Sequence, residues 1–360
     1  MSVVPGRGRL WGKPSYLPAV TLLSTTLAGI PLRNPIILAA GTAGVLDEMA
    51  DVLDLSRIGA VVSKSITVQP RQGNQTWRIL PAGPAGMLNA IGLANPGLDA
   101  FIEHYLPKVK TLPCKLFVSV AGFSVEDYVA VAANVDAWSH ENRLADGSLS
   151  VPAIELNVSC PNVKAGGEAF GGAPGTMAEL VDAVRPHVRH AKLFVKLSPM
   201  LPNMVAIAKA AVQRGGGGAD GLTLCNTMPA MAIDVASRRP KLAHVTGGLS
   251  GPALHPVVVK HLFEVRRGLE DAVGSGGGVG GLGGNGVMPA LIGLGGVMHW
   301  EHAAEFILAG ASAVQMGTVL FADPRAPISV AKGLEKWCRS QRAGNIGQLV
   351  GQVDTKGANG

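Results

Sequence analysis

Charged and aromatic side chains are scarce in this chain of 360 residues, at 16% and 4% of the total. Hydrophobic residues reach 47%, which excludes a disordered chain and is enough to build a large core. The net charge of +6 comes without a basic run that carries interleaved aromatics, so a nucleic-acid surface has little support. A small anionic ligand would suit the same positive excess.

Cysteine is also rare, and no uninterrupted apolar run of about 18 residues occurs. The four cysteines are Cys114, Cys160, Cys225 and Cys338, with no Cys-x-x-Cys spacing. The sequence therefore predicts neither a zinc site nor a disulfide framework, and it suits a reducing compartment. Residues 1–18 lack the apolar core of a signal peptide. We expect a cytoplasmic protein with no bound metal and no membrane span.

Apolar, strand-like runs alternate with amphipathic, helix-like runs along most of the chain. The strand-like runs are 35–40, 58–65, 115–121, the run that begins at 153, 192–197, 220–227, 291–295 and 313–320. The helix-like runs are 47–55, 97–111, 124–140, 175–188, 202–214, 252–268, 299–309 and 325–340. Eight strands, each followed by a helix, predict a closed TIM (β/α)8 barrel rather than an open doubly wound sheet.

Composition sets the expected limits of this barrel at residues 25–342. Residues 1–24 are rich in Pro, Gly and Ser and lack periodicity, so we interpret them as an extension, and 343–360 as a tail. Residues 274–286 are mostly Gly and form an insertion at about 273–287. A phosphate loop is the alternative for these glycines, but no strand-to-helix transition surrounds them. We favour a flexible surface insertion.

Small and polar residues follow the predicted strands, at the end of a barrel where catalytic groups collect. Paired glycines after the last two strands match a common phosphate site of barrels. Two lysines and several amides remain for a planar, carbonyl-bearing group, and FMN satisfies both requirements because a lysine near its ring stabilises the reduced form. These residues are Gly41, Thr42, Lys64, Ser65, Ser119, Asn157, Cys160, Lys196, Asn226, Thr227, Gly295, Gly296, Gly317 and Thr318.

Three of these features also have ordinary explanations. Lys64 ends an apolar strand, where it either meets an anion or extends its ammonium group into solvent. The long loop 66–97 is either a lid over a flat ligand or a packed excursion. Cys160 is either a proton acceptor or a buried, inert thiol, and its polar Asn-x-x-Cys-Pro-Asn setting favours the proton acceptor.

Several longer motifs resemble the dihydroorotate dehydrogenases, in particular the catalytic subunit of the class 1B enzymes. The motifs are Glu-Leu-Asn-Val-Ser-Cys-Pro-Asn-Val-Lys at 155–164, Asn-Ala-Ile-Gly-Leu at 89–93, Asn-Thr at 226–227, Gly-Gly-Leu-Ser-Gly-Pro at 247–252 and Ile-Gly-Leu-Gly-Gly at 292–296. The similarity runs in unbroken order from about Leu27 to Pro324. It implies oxidation of (S)-dihydroorotate to orotate by an FMN enzyme of pyrimidine biosynthesis.

The resemblance also implies a role for individual residues. Cys160 would remove the C5 proton while C6 gives hydride to the flavin. Substrate would contact Lys64, Asn89, Ala90, Ile91, Gly92, Leu93, Asn157, Asn226 and Thr227. FMN would contact Ala40, Lys64, Ser65, Ser119, Asn157, Lys196, Cys225, Gly251, Gly295, Gly296, Gly317 and Thr318. Ala40 stands where the family usually has Ser, and Ser119 where it usually has Asn, so these two contacts depart from the family pattern.

In class 1B enzymes, electrons leave through a separate subunit that carries FAD and a 2Fe-2S cluster and finally reach NAD. This chain has neither a cysteine set for a cluster nor a dinucleotide fingerprint, so we expect the partner to be another polypeptide. The resemblance also implies a homodimer within a heterotetramer. A class 1A-like enzyme that uses fumarate, or a flavin barrel acting on another pyrimidine, is the enzymatic alternative. A barrel that serves only as an interaction scaffold is the non-enzymatic one.

Overall fold

The structure, a computed structural model, describes residues 21–158, 171–213, 217–274 and 288–355. Within these ranges, eight parallel strands close a barrel, in which each strand pairs with the barrel strand that follows it in the sequence and the last pairs with the first. They are Ile36–Leu38, Ala60–Val62, Lys115–Val120, Ala153–Asn157, Lys192–Leu197, Gly221–Leu224, Ala290–Leu294 and Ala313–Met316. The predicted (β/α)8 fold is confirmed.

Amphipathic helices cover the outside of the barrel. The longer ones are Val125–Glu141, Pro174–Val184, Met204–Val212, His255–Gly274, Trp300–Leu308 and Ala326–Ser340. The predicted helix 97–111 is present but irregular, because a turn of α-helix at Leu98–Ala100 continues as a π-helix to Tyr105 and a 3-10 helix to Thr111. No helix in the described part of the chain is long and apolar enough to cross a lipid bilayer.

Two element predictions were wrong. In place of the helix 47–55 there are two short 3-10 helices, Glu48–Asp51 and Leu55–Arg57. The side chain of Glu48 accepts hydrogen bonds from the backbone N–H groups of residues 45 and 46, and Asp54 accepts from Ser56, so side chains take over the hydrogen bonds of the backbone here. The strand predicted for 313–320 ends at Met316, and Val319–Ala322 is a helical turn.

The interior of the barrel is apolar at the end where its strands begin. Phe117 and Phe194 stack with ring centroids 6.3 Å apart, among small and branched side chains from the other strands. The antiparallel hairpin Thr25–Leu27 and Ile30–Leu32 adds its leucines and isoleucine to the same cluster. This end of the barrel is therefore filled with hydrocarbon, and a polar site has room only at the other end.

A second sheet lies at the mouth of the barrel. Its four antiparallel strands come from two excursions of the chain, in the order Met228–Ala230, Gly247–Ser250, Met87–Asn89 and Ile79–Pro81. A small hairpin of Ile233–Asp234 and Arg239–Pro240 extends from the second excursion. The long loop 66–97 thus contributes regular strands, which pair with a segment more than a hundred residues further along the chain.

The expected limits of the barrel domain remain predictions. Most of the proposed extension, the glycine-rich insertion and the last residues of the tail lie outside the described residues. Leu23 is buried, and the carbonyl of Leu22 accepts a hydrogen bond from the N–H of Ile346 at 2.8 Å. The described residues of the expected extension and of the expected tail therefore pack against each other.

A buried carboxylate connects the outer helices to the barrel. Asp136, 2% exposed on the helix Val125–Glu141, accepts hydrogen bonds from the backbone N–H groups of Arg189, His190 and Ala191 at 2.7–3.2 Å. These three residues immediately precede the barrel strand Lys192–Leu197. The position of that strand therefore depends on Asp136.

We predict that Asp136→Ala lowers the free energy of unfolding by roughly 3–5 kcal/mol, because three backbone N–H groups, that of Ala191 buried, lose their acceptor at a buried side chain. Urea unfolding measures the change. Glu179→Ala, at an exposed position on the helix Pro174–Val184, is the matched control and should change the free energy by no more than about 0.5 kcal/mol. Equal effects of the two substitutions would contradict this role of Asp136.

Candidate active site

A cavity of about 600 Å³ lies between the strand ends and the second sheet, within the usual range for ligand sites. Its wall contains almost every residue that the sequence predicted for the functional site. The nominated residues in its wall are Ala40, Gly41, Thr42, Lys64, Ser65, Asn89, Ala90, Ile91, Gly92, Leu93, Asn157, Lys196, Cys225, Asn226, Thr227, Gly251, Gly295, Gly296, Gly317 and Thr318. Residues far apart in the sequence therefore converge on one space.

Two nominated residues are not in this wall. Ser119 is fully buried and lies behind Ser65, with the two hydroxyl oxygens 2.8 Å apart, so it contacts the wall from outside the cavity. Cys160 lies outside the described residues. Val158 and Gly171, on either side of the undescribed segment 159–170, both line the cavity.

A chain of hydrogen bonds crosses the floor of the cavity. Asn157 Nδ2 donates to Ser65 Oγ at 3.1 Å, and Asn226 Nδ2 donates to Asn157 Oδ1 at 3.0 Å. The N–H of Thr227 donates to Asn226 Oδ1 at 2.8 Å. The hydroxyl of Tyr128 also donates to the carbonyl of Asn157 at 2.8 Å, from the helix outside the barrel. Three strand ends are thus held in one arrangement, and the amides of Asn157 and Asn226 in the cavity wall would suit a planar, polar ligand.

The two lysines in the wall give the cavity a positive character. Burial lowers the pKa of Lys64, and the nearby charges of Arg78 and Lys196 lower it further. A Cβ atom added at Gly41 would lie 3.3 Å from Lys64 Nζ, so the ammonium group turns toward the glycine turn at the mouth rather than into open solvent. An anionic ligand would relieve this repulsion.

Lys196 lies deeper, at 5% exposure, and burial lowers its pKa while the charge of Glu155 opposes that change. Glu155 Oε1 is 3.9 Å from Lys196 Nζ. Glu155 Oε2 accepts hydrogen bonds from Thr223 Oγ1 and Gln315 Nε2, both at 2.7 Å. Sequence reasoning missed Glu155 and Gln315. The only signal was one Glu and one Gln inside apolar strands, where an unpartnered polar side chain is costly.

Glycines form a cradle at the rim of the cavity. Gly251, Gly295 and Gly296 have φ angles of +111°, +150° and +69°. A Cβ at Gly296 would approach the carbonyl oxygen of Gly251 to 2.6 Å, so no larger residue fits there. The cradle adjoins the start of the helical segment that runs from Pro252 into His255–Gly274. Close backbone and a helix N-terminus together suit a phosphate group.

The two excursions that form the second sheet also bring residues outside the predicted site set into the cavity wall. These are Asn74, Met87, His244, Thr246 and Ser250. Asn74 Nδ2 donates to the carbonyl of Ala90 at 2.9 Å, which orders the segment 89–93. Of these five residues, only Ser250 lies within the motif 247–252. The positions of the other four depend on pairing between the two excursions, which no local sequence pattern predicts.

The other cysteines have the surroundings of inert thiols. Cys114, Cys225 and Cys338 are free and buried. Burial raises the pKa of Cys114 to about 12 and also raises the pKa of Cys225 and Cys338. Within the described ranges, no three His, Cys, Asp or Glu side chains gather as a metal site would require.

The chain is similar to known proteins over most of its length. A family model described as dihydroorotate dehydrogenase matches residues 22–337. The protein named "Dihydroorotate dehydrogenase B (NAD(+)), catalytic subunit" from Geobacter sp. (strain M21) is 42% identical over 332 residues, 92% of this chain and 98% of the relative. A protein of the same name from Parabacteroides distasonis is 41% identical over 332 residues, again 92% of this chain and 98% of the relative.

A relative with a different named acceptor matches almost as well. The protein named "Putative dihydroorotate dehydrogenase A (fumarate)" from Aquifex aeolicus is 40% identical over 329 residues, 91% of this chain and 97% of the relative. The relatives agree on the family. Their percentage identities to this chain differ too little to distinguish an NAD-linked enzyme from a fumarate-linked one. The matched barrel and the residues gathered at its mouth lead to one conclusion: this chain belongs to the dihydroorotate dehydrogenase family.

Proposed function

We propose that this chain oxidises (S)-dihydroorotate to orotate with a bound FMN, in the synthesis of pyrimidines, and that its electrons reach NAD through a separate subunit. The observation that carries the proposal is the cavity itself. It places a glycine cradle, two lysines and a chain of amides around one space of about 600 Å³. The three described cysteines, Cys114, Cys225 and Cys338, are free thiols, which supports a cytoplasmic location.

The residues present fit FMN. The cradle of Gly251, Gly295 and Gly296, with Gly317 and Thr318 opposite, would hold the phosphate through backbone N–H groups. Lys196 would lie against the ring, with Ala40, Ser65 and Cys225 lining its pocket. Ser119 would act through its hydrogen bond to Ser65. When bound, FMN supplies a two-electron acceptor for the hydride that leaves C6 of the substrate.

The substrate is an anion with a cyclic imide, and the remaining wall residues suit it. Lys64 would pair with its carboxylate, which offsets the repulsion between Lys64, Lys196 and Arg78. The amides of Asn89, Asn157 and Asn226, with Thr227, would satisfy the ring oxygens and N–H groups. The segment 89–93 would close over the ring as a lid.

The proton at C5 needs a base. Cys160 follows Val158, which lines the cavity, by two residues, and we assign the C5 proton to its sulfur. A thiolate in a site that carries two lysines is stabilised relative to the thiol. The proton therefore goes to Cys160 and the hydride to the cofactor, which accounts for both hydrogens lost in forming orotate.

The word "subunit" in the names of the relatives supports a separate electron-transfer partner. We propose that this partner carries FAD and a 2Fe-2S cluster and that two copies of each chain form a heterotetramer. Direct reduction of fumarate is the second candidate, favoured by the similarity to the relative from Aquifex aeolicus.

An acceptor comparison tests the proposal. The FMN-loaded chain alone should oxidise dihydroorotate with an artificial dye but not with NAD or fumarate, and NAD reduction should appear when the partner subunit is added. Turnover with fumarate by the isolated chain would favour the second candidate. Loss of turnover with every acceptor, despite bound FMN, would contradict the assigned substrate.

The glycine cradle gives a second prediction. Gly296→Ala should weaken FMN binding on the order of ten- to hundredfold, because the added methyl group moves backbone that donates to the phosphate. Fluorescence titration of the FMN-free chain measures the affinity. Gly29→Ala is the matched control, since Gly29 also has a positive φ of +88° but no atom within 4 Å of the added carbon. Gly29→Ala should lower stability and leave FMN affinity unchanged, and wild-type affinity in Gly296→Ala would contradict the cradle.

The third prediction concerns the base. Cys160→Ala should retain FMN and bind dihydroorotate but slow flavin reduction roughly 10²–10⁴-fold, the usual contribution of base catalysis. Anaerobic stopped-flow absorbance measures the rate. Cys114→Ala removes a buried thiol of the outer core and should reduce at the wild-type rate. A rate for Cys160→Ala within a few-fold of wild type would remove Cys160 from this role.

A further inference from the structure

One buried histidine lies directly behind the glycine cradle. His255 begins the helix His255–Gly274 and is only 5% exposed. Leu254, Gly295 and Gly296, next to it, all line the cavity. A Cβ atom added at Gly296 would lie 2.9 Å from the Cβ of His255 and 3.1 Å from its backbone nitrogen. The histidine and the cradle are therefore in direct contact.

The ring of His255 is held at both of its nitrogens. Nδ1 lies 3.2 Å from the carbonyl oxygen of Gly295, and because a carbonyl oxygen only accepts, Nδ1 is the donor. Nε2 lies 2.5 Å from Glu305 Oε2, on a neighbouring helix. The rings of His302 and Phe306 pack against it with centroids 4.5 and 4.6 Å away. These contacts fix the orientation of the imidazole.

The hydrogen bond to Gly295 fixes one peptide group of the cradle. The carbonyl of Gly295 and the N–H of Gly296 belong to the same planar unit, and in a trans peptide they point in opposite directions. Since the carbonyl points toward the ring of His255, the N–H of Gly296 points away from it.

Consecutive glycines need such a contact more than other residues do. Gly295 and Gly296 have φ angles of +150° and +69°, which a Cβ atom would disfavour. The same absence of a side chain gives glycine more conformational freedom than any other residue has. A donor from a fixed, buried ring therefore reduces the number of orientations that this peptide group can take.

We propose that His255 is a positioning residue for the phosphate of FMN. By holding the carbonyl of Gly295, it keeps the N–H of Gly296 directed at the phosphate, so that the site selects a flavin with a phosphate over one without. This inference rests on the proposed FMN site. A donor that is aligned before the ligand arrives strengthens binding, because the ligand then has less of the protein to order.

Riboflavin distinguishes this role from general support of the fold, because it has the ring system of FMN and no phosphate. The test is the ratio of the riboflavin Kd to the FMN Kd, from fluorescence titrations of the flavin-free chain, in wild type and His255→Ala. We expect FMN affinity to fall roughly tenfold, as for one lost hydrogen bond to a charged group, and riboflavin affinity to change by less than about twofold.

Two further substitutions identify the ring nitrogen that matters. His255→Asn has an amide nitrogen as many bonds from the backbone as Nδ1, so it can donate to Gly295 and should recover most of the ratio. His255→Gln has its amide nitrogen at the distance of Nε2, toward Glu305, and should not recover it. His261→Ala is the matched control on the same helix. Its Nε2 lies 3.2 Å from the carbonyl oxygen of Pro199, outside the cradle, so this variant should keep the wild-type ratio.

A variant at a more exposed position covers the case in which His255→Ala does not fold. Glu305→Ala releases the other end of the ring, and the side chain of Glu305 is 53% exposed. The ratio should fall in the same direction, by roughly threefold.

An equal loss of affinity for both flavins in the folded variants, or no loss for FMN, would overturn the role of His255 and leave the proposed function intact. Equal ratios for His255→Asn and His255→Gln would also overturn it, as would a wild-type chain that binds riboflavin as tightly as FMN. A wild-type chain that binds neither flavin would overturn both the inference and the proposed function.

Discussion

A positive charge held inside a closed barrel is the constraint around which the site is arranged. Lys196 and Glu155 are both almost fully buried, and hydrocarbon packed around Phe117 and Phe194 fills the barrel beneath them. An ion pair so placed costs desolvation energy that its own attraction repays only in good geometry. The carboxylate takes that geometry from Thr223 and Gln315. Lys196 also lines the cavity, which accordingly suits electron-rich ligands.

The mouth of the barrel is built by long-range pairing rather than by the barrel strands alone. Two excursions, from 66–97 and from 228–250, form one antiparallel sheet over the strand ends. A Cβ at Gly248 would lie 2.0 Å from Thr227 Oγ1, and one at Gly86 would lie 1.9 Å from the carbonyl oxygen of Ser250. Gly248 therefore allows the sheet to approach the floor closely, and Gly86 allows the two excursions to approach each other.

The sequence was most informative where local pattern and burial agree. Apolar runs such as 115–121 and 192–197 marked the barrel strands, and the residues just after them marked the cavity, because strand ends meet at one edge in this fold. The helix predicted at 47–55 does not form, because the side chains of Glu48 and Asp54 accept hydrogen bonds from nearby backbone N–H groups. The strands of the second sheet were missed because their partners are distant in the chain, and Asn74 was missed with them. Glu155 was missed because its three contacts come from three other strands.

The central claim is that one cavity holds FMN and dihydroorotate together, in contact. Anaerobic titration of the purified, FMN-loaded wild-type chain with dihydroorotate tests it most directly. We expect the flavin absorbance to bleach and one orotate to appear for each flavin reduced. A flavin that stays oxidised in excess dihydroorotate, yet bleaches with dithionite, would contradict it.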